Sequence, residues 1–489
     1  MPATDRRPSP TQPPGMLQIG LFFDGTRNNM HNLAHGGGRP QPTSLPTSVQ
    51  ADDASPYLSR ITSSFDNGLT NIARLHACYA DSRRDASGPL SLAIYIEGAG
   101  TRDGLPDDLL GLAFGTGTTG VRAKVRRALQ ELLPAALRAL ASVPSPALAG
   151  VRIDLFGFSR GAASARDAAH RLTAWTSAQW MGVLREAGLS ISPRFELRQP
   201  TIRFIGLFDT VAAVSSRRSD EQPQLRLPVG IAGKVLQLAA RDEHREHFAL
   251  ASVAPEHEQV LLPGVHANIG GGYDQAEEGP KLLTRPRSQR VARPPFADFA
   301  APDRAWLHAT PSHLRAEAEA EQWRQRLGLD ASSIWVDSWH QWLRQRQSGS
   351  TSVLPSPTLY VYSAVVLKRP IDWRYQLVAL RLMHQRTLES GVAWALSPDD
   401  MAGWALPDEL QPIARELLQG HTLDAAAEQL LRQRYIMQSA HWNFDALGDT
   451  ALTYAADAGV SELPYRPGPG LFYINRPTDD GQRVVLHNA

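Results

Sequence analysis

VRIDLFGFSRGAASARDAAHRLTAW, residues 151–175, reads as an apolar strand, a glycine-flanked turn and an Ala-rich helix. The turn is Gly157-Phe158-Ser159-Arg160-Gly161, a G-x-S-x-G pattern. Between a strand and a helix this pattern predicts a nucleophile elbow, with Ser159 at the tip of a strained turn. Glycines at 157 and 161 let strand and helix approach without Cβ clashes. The helix beginning near residue 160 aims its unsatisfied N–H groups at the turn, so the Arg160 N–H is an expected oxyanion donor.

Working outward, four more apolar runs read as strands: Leu17–Phe23, Leu90–Ile96, Thr201–Phe208 and Gln259–Leu262. Helical stretches at 69–79, at 121–142 and after the elbow alternate with them. That alternation predicts an α/β-hydrolase-like fold, a mostly parallel sheet wound by right-handed crossovers with helices on both faces. Reactive groups then gather at the carboxyl ends of the strands. Residues 1–15, rich in proline, read as disordered, and 16–275 as the catalytic core. Residues 276–330 read as an irregular insertion and potential lid. Residues 331–489 read as a helical part completing the domain, with Trp-rich helical stretches at 305–349 and 372–394.

Position relative to the strands selects partners for Ser159. Asp167 and His170 lie roughly 12 and 16 Å along the following helix, too far to act on it. Asp154 is inside the preceding strand, below the catalytic edge. Asp209 ends the run TIRFIGLF and points at the same rim, where a carboxylate can orient an imidazole. His266 follows the next predicted strand in PGVHANIGGGYD (263–274), whose glycines permit tight backbone paths. The chain order Ser, Asp, His is that of α/β hydrolases. A second oxyanion donor is expected from the turn after the first strand, FFDGT (22–26), through the backbone N–H of Phe23 or Asp24, with the Asp24 carboxylate pinning the turn.

Other chemistries find less support. His244 and His247 in DEHREH lack the H-E-x-x-H spacing and read as a charged helical face, so no metal is expected. The glycines at 115–120 are followed by no Gly-Lys-Ser/Thr, which argues against a nucleotide cradle; no cofactor is expected. A net charge of +1 in 489 residues provides no field to steer nucleic acid. A lone cysteine, Cys78, forms no internal disulfide and fits folding in a reducing cytoplasm. The N-terminal stretch lacks an apolar signal-peptide core, so export would need a route that reads no such signal.

Seven stretches resemble the first class of bacterial type VI secretion phospholipase effectors. They are LFFDGTRNN (21–29), TNIARL (70–75), YIEGAGT (95–101), GFSRGAA (157–163), GLFDTVA (206–212), PGVHANIGGGY (263–273) and, more loosely, ALRLMHQRTLESG (379–391). The resemblance implies an α/β-hydrolase catalytic domain with nucleophile, acid and base on Ser159, Asp209 and His266. It also implies phospholipase A-type cleavage of glycerophospholipid esters and an antibacterial role in the target periplasm. Expected partners are the phospholipid, a spike or tube protein of the secretion machine and a cognate immunity protein. Similar proteins often carry a large membrane-anchoring module, for which this chain shows no obvious counterpart.

Pro295, Phe296, Phe299, Trp306 and Leu307 are therefore expected to form an apolar cover over the site, with Arg285, Arg287, Arg290 and Arg293 available to phosphate. Two alternatives share the fold: an esterase acting on a soluble ester or thioester, since a triad is indifferent to its acyl donor, and a catalytically silent binding protein.

Overall fold

The computed structural model describes residues 15–26, 28–34, 58–59, 67–101, 119–211, 222–291, 294–298, 300–343, 358–445 and 475–488. The Pro-rich start and most of the Gly-rich stretch before residue 120 lie outside these residues.

A six-stranded sheet organises the chain. Strand β1 (Met16–Phe23) is apolar at nearly every position and wholly buried, as a central strand covered on both faces must be. The others are β2 (Ser91–Ile96), β3 (Gly150–Phe158), β4 (Ile202–Phe208), β5 (Lys234–Ala240) and, after the short β6 (Leu250–Ser252), β7 (Glu258–Leu262). Their order is β2-β1-β3-β4-β5-β7, and every pairing is parallel. The sequence does not announce β5, because Gln237 interrupts its apolar run. That side chain is fully buried and donates to the Ala251 carbonyl (3.0 Å) and Gln259 Oε1 (2.9 Å).

Side chains alternate across β1, which separates two cores. Leu17, Ile19, Leu21 and Phe23 face one core; Phe22 faces the other. Helices on the first face are α2, from Val121 through a π-helical turn (Ala128–Leu132) to Leu140, then α3 (Arg160–Thr173) and α4 (Ser177–Glu186). The second face is covered by α1 (Asn71–Cys78), which Thr70 caps, and by helices from the C-terminal part. Close to α1, the short helix α5 (His266–Gly270) follows β7.

The segment from 276 onward departs from expectation. Instead of an irregular cover it contributes β8 (Glu277–Leu282), β9 (Arg287–Val291) and helix α6 (Pro311–Leu327) to a unit completed by β10 (Ile334–Leu343) and β11 (Thr358–Pro370). All its pairings are antiparallel. No break in structure falls at 330, and the residues after it are not simply helical. The Trp-rich sequence IWVDSWHQWL suggested a helix, but it has strand periodicity: Ile334 and Val336 pack toward α6, whereas Trp335 and Trp339 pack on the opposite side. Phe296, Trp306 and Leu307 are not an exposed cover either. Phe296 meets Trp306 edge-on at 5.1 Å, and the cluster closes on Trp342, Leu359 and Val361. Phe299 and Arg293 lie outside the described residues.

Helices α7 (Gln376–Glu389), α8 (Leu410–Gln419) and α9 (Ala425–Arg434) return to the main sheet. Finally β12 (Val485–His487) pairs in parallel with β6. Among the described residues no helix is long and apolar enough to cross a membrane.

Beneath the second face lies a buried ion pair. Arg203 grips Asp154 through Nε–Oδ1 (2.9 Å) and Nη2–Oδ2 (2.5 Å), while the Tyr79 hydroxyl donates to Oδ2 (2.7 Å). Asp154 thus serves the sheet, as its place in mid-strand implied. Replacing it by alanine strands a buried guanidinium, and Asp154→Ala should lower urea-unfolding stability by about 3–5 kcal/mol. A loss under about 1 kcal/mol would mean that the network does not brace the sheet.

Candidate active site

The elbow is built as its residue types require. Ser159 adopts φ 57° and ψ −124°, a region L-residues avoid. A Cβ on Gly157 would lie 2.5 Å from the Ala162 Cα, and one on Gly161 would lie 2.3 Å from the carbonyl oxygens of Phe23 and Asp24. The first turn of α3, starting at Arg160, directs its N–H groups toward the Ser159 end of the helix.

Ser159 and Asp209 occupy neighbouring strand ends. The Ser159 N–H donates to the Phe208 carbonyl (3.0 Å), and the Ser159 carbonyl accepts from the Val211 N–H (3.4 Å). Asp209 has a positive φ of 45°, so both rim residues hold strained backbone. Its carboxylate is fully buried. Oδ1 accepts from the Ala240 N–H (2.8 Å) and Arg483 Nη1 (2.7 Å); Oδ2 contacts His266 Nδ1 (2.5 Å) and accepts from Arg483 Nη2 (2.8 Å). Burial alone would raise the Asp209 pKa, but the Arg483 guanidinium and the His266 hydrogen bond hold it well below the usual carboxylate range.

His266 begins α5, with its ring between Phe158 (centroids 4.6 Å apart) and Phe248 (5.0 Å). Burial lowers its pKa from the ordinary 6.5, and Asp209 offsets only part of that. Burial thus biases the imidazole toward its neutral form. The His266 N–H donates to Glu243 Oε2 (3.2 Å). Glu243 is also buried, yet Arg245, bound to both its oxygens at 3.0 and 2.9 Å, holds its pKa at about 2. Arg245 also lies over the Phe248 ring at 3.3 Å. Asp209 and His266 are thus joined directly and share a rim with Ser159, but Ser159 and His266 are not hydrogen-bonded to each other in this state.

The Asp24 carboxylate pins its turn, as expected, through the Gly25 N–H (2.6 Å) and the Tyr95 hydroxyl (2.6 Å); burial raises its pKa to about 6. The Asp24 N–H, however, donates to the Ile96 carbonyl at 2.9 Å, so it is committed to the sheet and is no oxyanion donor here. Phe23 likewise sits inside β1, between β2 and β3. Asp167 holds Arg171 (2.7 Å) and accepts from the Gln224 N–H (3.0 Å), and His170 meets the Arg226 carbonyl, all away from the rim. The DEHREH stretch is a loop, not a helical face. Among the described residues no group of three or more His, Cys, Asp or Glu side chains could hold a metal.

Sequence reasoning missed Arg483, Glu243, Arg245 and Phe248. Glu243 and Arg245 stand in the stretch weighed only for its histidines. The signal for Arg483 was indirect: a carboxylate at the end of a wholly buried strand needs a cation from somewhere.

Together these features define a mixed α/β protein whose mostly parallel sheet brings a strained serine and a hydrogen-bonded Asp–His pair to one rim. Residues 185–298 match the family model of the T6SS phospholipase effector Tle1-like catalytic domain. Over 97% of this chain and 94% of the other, the fold is similar to that of a Tle1 effector solved bound to the VgrG spike from the type 6 secretion system, with 23% identity and a TM-score of 0.66. An uncharacterized protein from Pseudomonas aeruginosa shares 18% identity over 86% of this chain and 52% of its own, with a TM-score of 0.38, too distant to bear on the fold. No curated protein sequence matches the chain.

The elbow contact gives a direct check. Gly161→Ala forces a methyl group against two carbonyl oxygens at 2.3 Å. It should cost roughly 1–3 kcal/mol in thermal or urea unfolding, whereas Gly182→Ala, where a Cβ meets nothing within 4 Å, should cost nothing measurable. Equal stability of the two variants would contradict the tight elbow.

Proposed function

We propose that this chain is a lipolytic serine hydrolase that cleaves acyl esters of glycerophospholipids and acts between bacteria as a type VI secretion effector. The observation that carries the chemistry is the 2.5 Å contact between Asp209 and His266 at the rim where Ser159 ends its strand. The family match at 185–298, which includes both Asp209 and His266, supports the lipid substrate.

In this reading His266 Nε2 takes the Ser159 proton as Oγ attacks the ester carbonyl. Asp209 fixes the tautomer through Nδ1 and stabilises the imidazolium that forms. The Arg160 N–H, at the positive end of α3, receives the developing oxyanion. His266 then returns the proton to the departing lysolipid alcohol, and water releases the fatty acid by the same sequence in reverse roles. Substrate entry brings Ser159 and His266 into hydrogen-bond range, since such contacts commonly tighten only in the Michaelis complex.

The solved effector bound to the VgrG spike supports a spike protein as the delivery partner of this chain; the site of action in this reading is the periplasm of a neighbouring cell. A producing cell would then need a cognate immunity protein.

Mass spectrometry of mixed phospholipid vesicles incubated with wild type and Ser159→Ala tests the assignment. Wild type should release lysophospholipid and free fatty acid. Ser159→Ala and His266→Ala should lose essentially all turnover without a change in melting temperature, and Asp209→Asn should lose on the order of 10³–10⁴-fold. Turnover of a short soluble ester without attack on vesicles would move the substrate class away from lipid.

The pH profile offers an independent check. Only the neutral imidazole is a base, and burial makes protonation harder, so the basic form persists to lower pH than in a free histidine. The acid limb of kcat/KM should fall below the ordinary 6.5. A limb above that value would contradict the buried neutral base.

A further inference from the structure

The last described residues bring a cation to the acid of the site. The C-terminal segment runs beside the 241–252 loop: the Glu246 N–H donates to the Arg476 carbonyl (2.8 Å), the Thr478 N–H to the His244 carbonyl (2.9 Å), and the Leu250 N–H to the Val484 carbonyl (2.9 Å). β12 then pairs with β6. Asn488 closes the segment by exchanging two hydrogen bonds with Leu227, at 3.0 and 3.1 Å. Hydrophobic burial does not hold this strand, because Val484, Val485 and Leu486 are 51%, 41% and 43% exposed. What the strand buries is Arg483.

The Arg483 side chain is 6% exposed and each of its three nitrogens is hydrogen-bonded. Nη1 and Nη2 bind the two oxygens of Asp209, Nε donates to the Phe248 carbonyl (2.7 Å), and Nη1 also reaches the Ala240 carbonyl (3.2 Å). A planar fork of this kind fixes a carboxylate in both distance and plane, which a point charge does not. One carboxylate plane is the one that places Oδ2 against His266 Nδ1. The Phe248 backbone is gripped by the same guanidinium, and its ring packs against the imidazole, so Arg483 touches two of the groups that orient His266.

We propose that Arg483 is a positioning residue of the Ser159–His266–Asp209 site, and that docking of the C-terminal strand completes that site. The inference rests on the catalytic reading above. Arg483 contacts neither substrate nor the reacting serine; it acts by holding Asp209 charged and aligned. Arg483 meets the sheet only at its rim, through Asp209 and the Ala240 and Phe248 carbonyls, so a chain without the docked strand should keep the elbow but present a poorly oriented base.

Steady-state kinetics of the full-length protein on a soluble p-nitrophenyl ester test this. Arg483→Ala should lower kcat on the order of 10²-fold, the scale on which a misplaced catalytic group is felt, with KM changed by less than about threefold. Arg483→Lys should fall between, because an ammonium cannot bind both oxygens. Guanidinium ion added at sub-denaturing concentration should restore part of the Arg483→Ala rate and leave wild type unaffected. Arg476→Ala, on the same segment but paired with Glu246, should behave as wild type.

An Arg483→Ala rate within about threefold of wild type, while Ser159→Ala is inactive, overturns the inference and leaves the catalytic reading standing. Loss of activity that guanidinium does not restore, together with a lowered melting temperature, also overturns it by making Arg483 a brace for the fold. Persistence of full turnover in Ser159→Ala would defeat the catalytic reading and this inference with it.

Discussion

A carboxylate with no water to face must be kept charged by its neighbours, and Asp209 is such a carboxylate. Moving an unpaired anion into the interior costs far more than any single packing contact returns, so the strand ending at Asp209 tolerates it only with compensation. The compensation comes from three distant parts of the chain: the Ala240 N–H on the next strand, the His266 imidazole after β7, and Arg483 near the C-terminus. The last two are 57 and 274 residues away in sequence. One buried charge therefore ties three elements to a single point at the sheet rim. Glu243 repeats the arrangement one layer out, held by Arg245 and receiving the His266 N–H. The histidine is thus fixed from its ring and from its backbone by two separate acid–arginine pairs.

Strain accompanies this charge pattern. Ser159 and Asp209 both adopt positive φ, at the ends of adjacent parallel strands. Such backbone survives only where surrounding packing over-determines it. Gly161 seats α3 directly on the Phe23 and Asp24 carbonyls, leaving no room for relaxation at the serine. At the base of the same sheet, the Asp154–Arg203–Tyr79 network anchors strands β3 and β4, which carry the two strained residues. Rigid support below and strain above together describe a preorganised site.

Much of this was legible in the sequence because the determining signals are local. Strands β1 to β4 and β7 announce themselves as mainly apolar runs; Ser159 follows β3, Asp209 follows β4 and His266 follows β7. What escaped was written in polar residues inside apolar contexts or in distant pairings. Gln237 hid β5 because its amide is satisfied by residues that fold beside it, which no local pattern reveals. The strand Ile334–Leu343 passed for a helix because four bulky aromatic and imidazole side chains in ten residues obscure an alternation that only its two packing faces make plain. The need for a cation at Asp209 was legible, but not that Arg483, one of many arginines in the chain, supplies it. The Asp24 N–H looked available until β2 supplied the Ile96 carbonyl that occupies it.

If Ser159, His266 and Asp209 act together as proposed, Ser159 is unusually nucleophilic. Peptide-mapping mass spectrometry after brief exposure to a fluorophosphonate measures that property without assuming a substrate. A single adduct on Ser159 is expected in the folded protein, absent after His266→Ala. No adduct on wild type, an adduct on another residue, or undiminished labelling of Ser159 without His266 would contradict it.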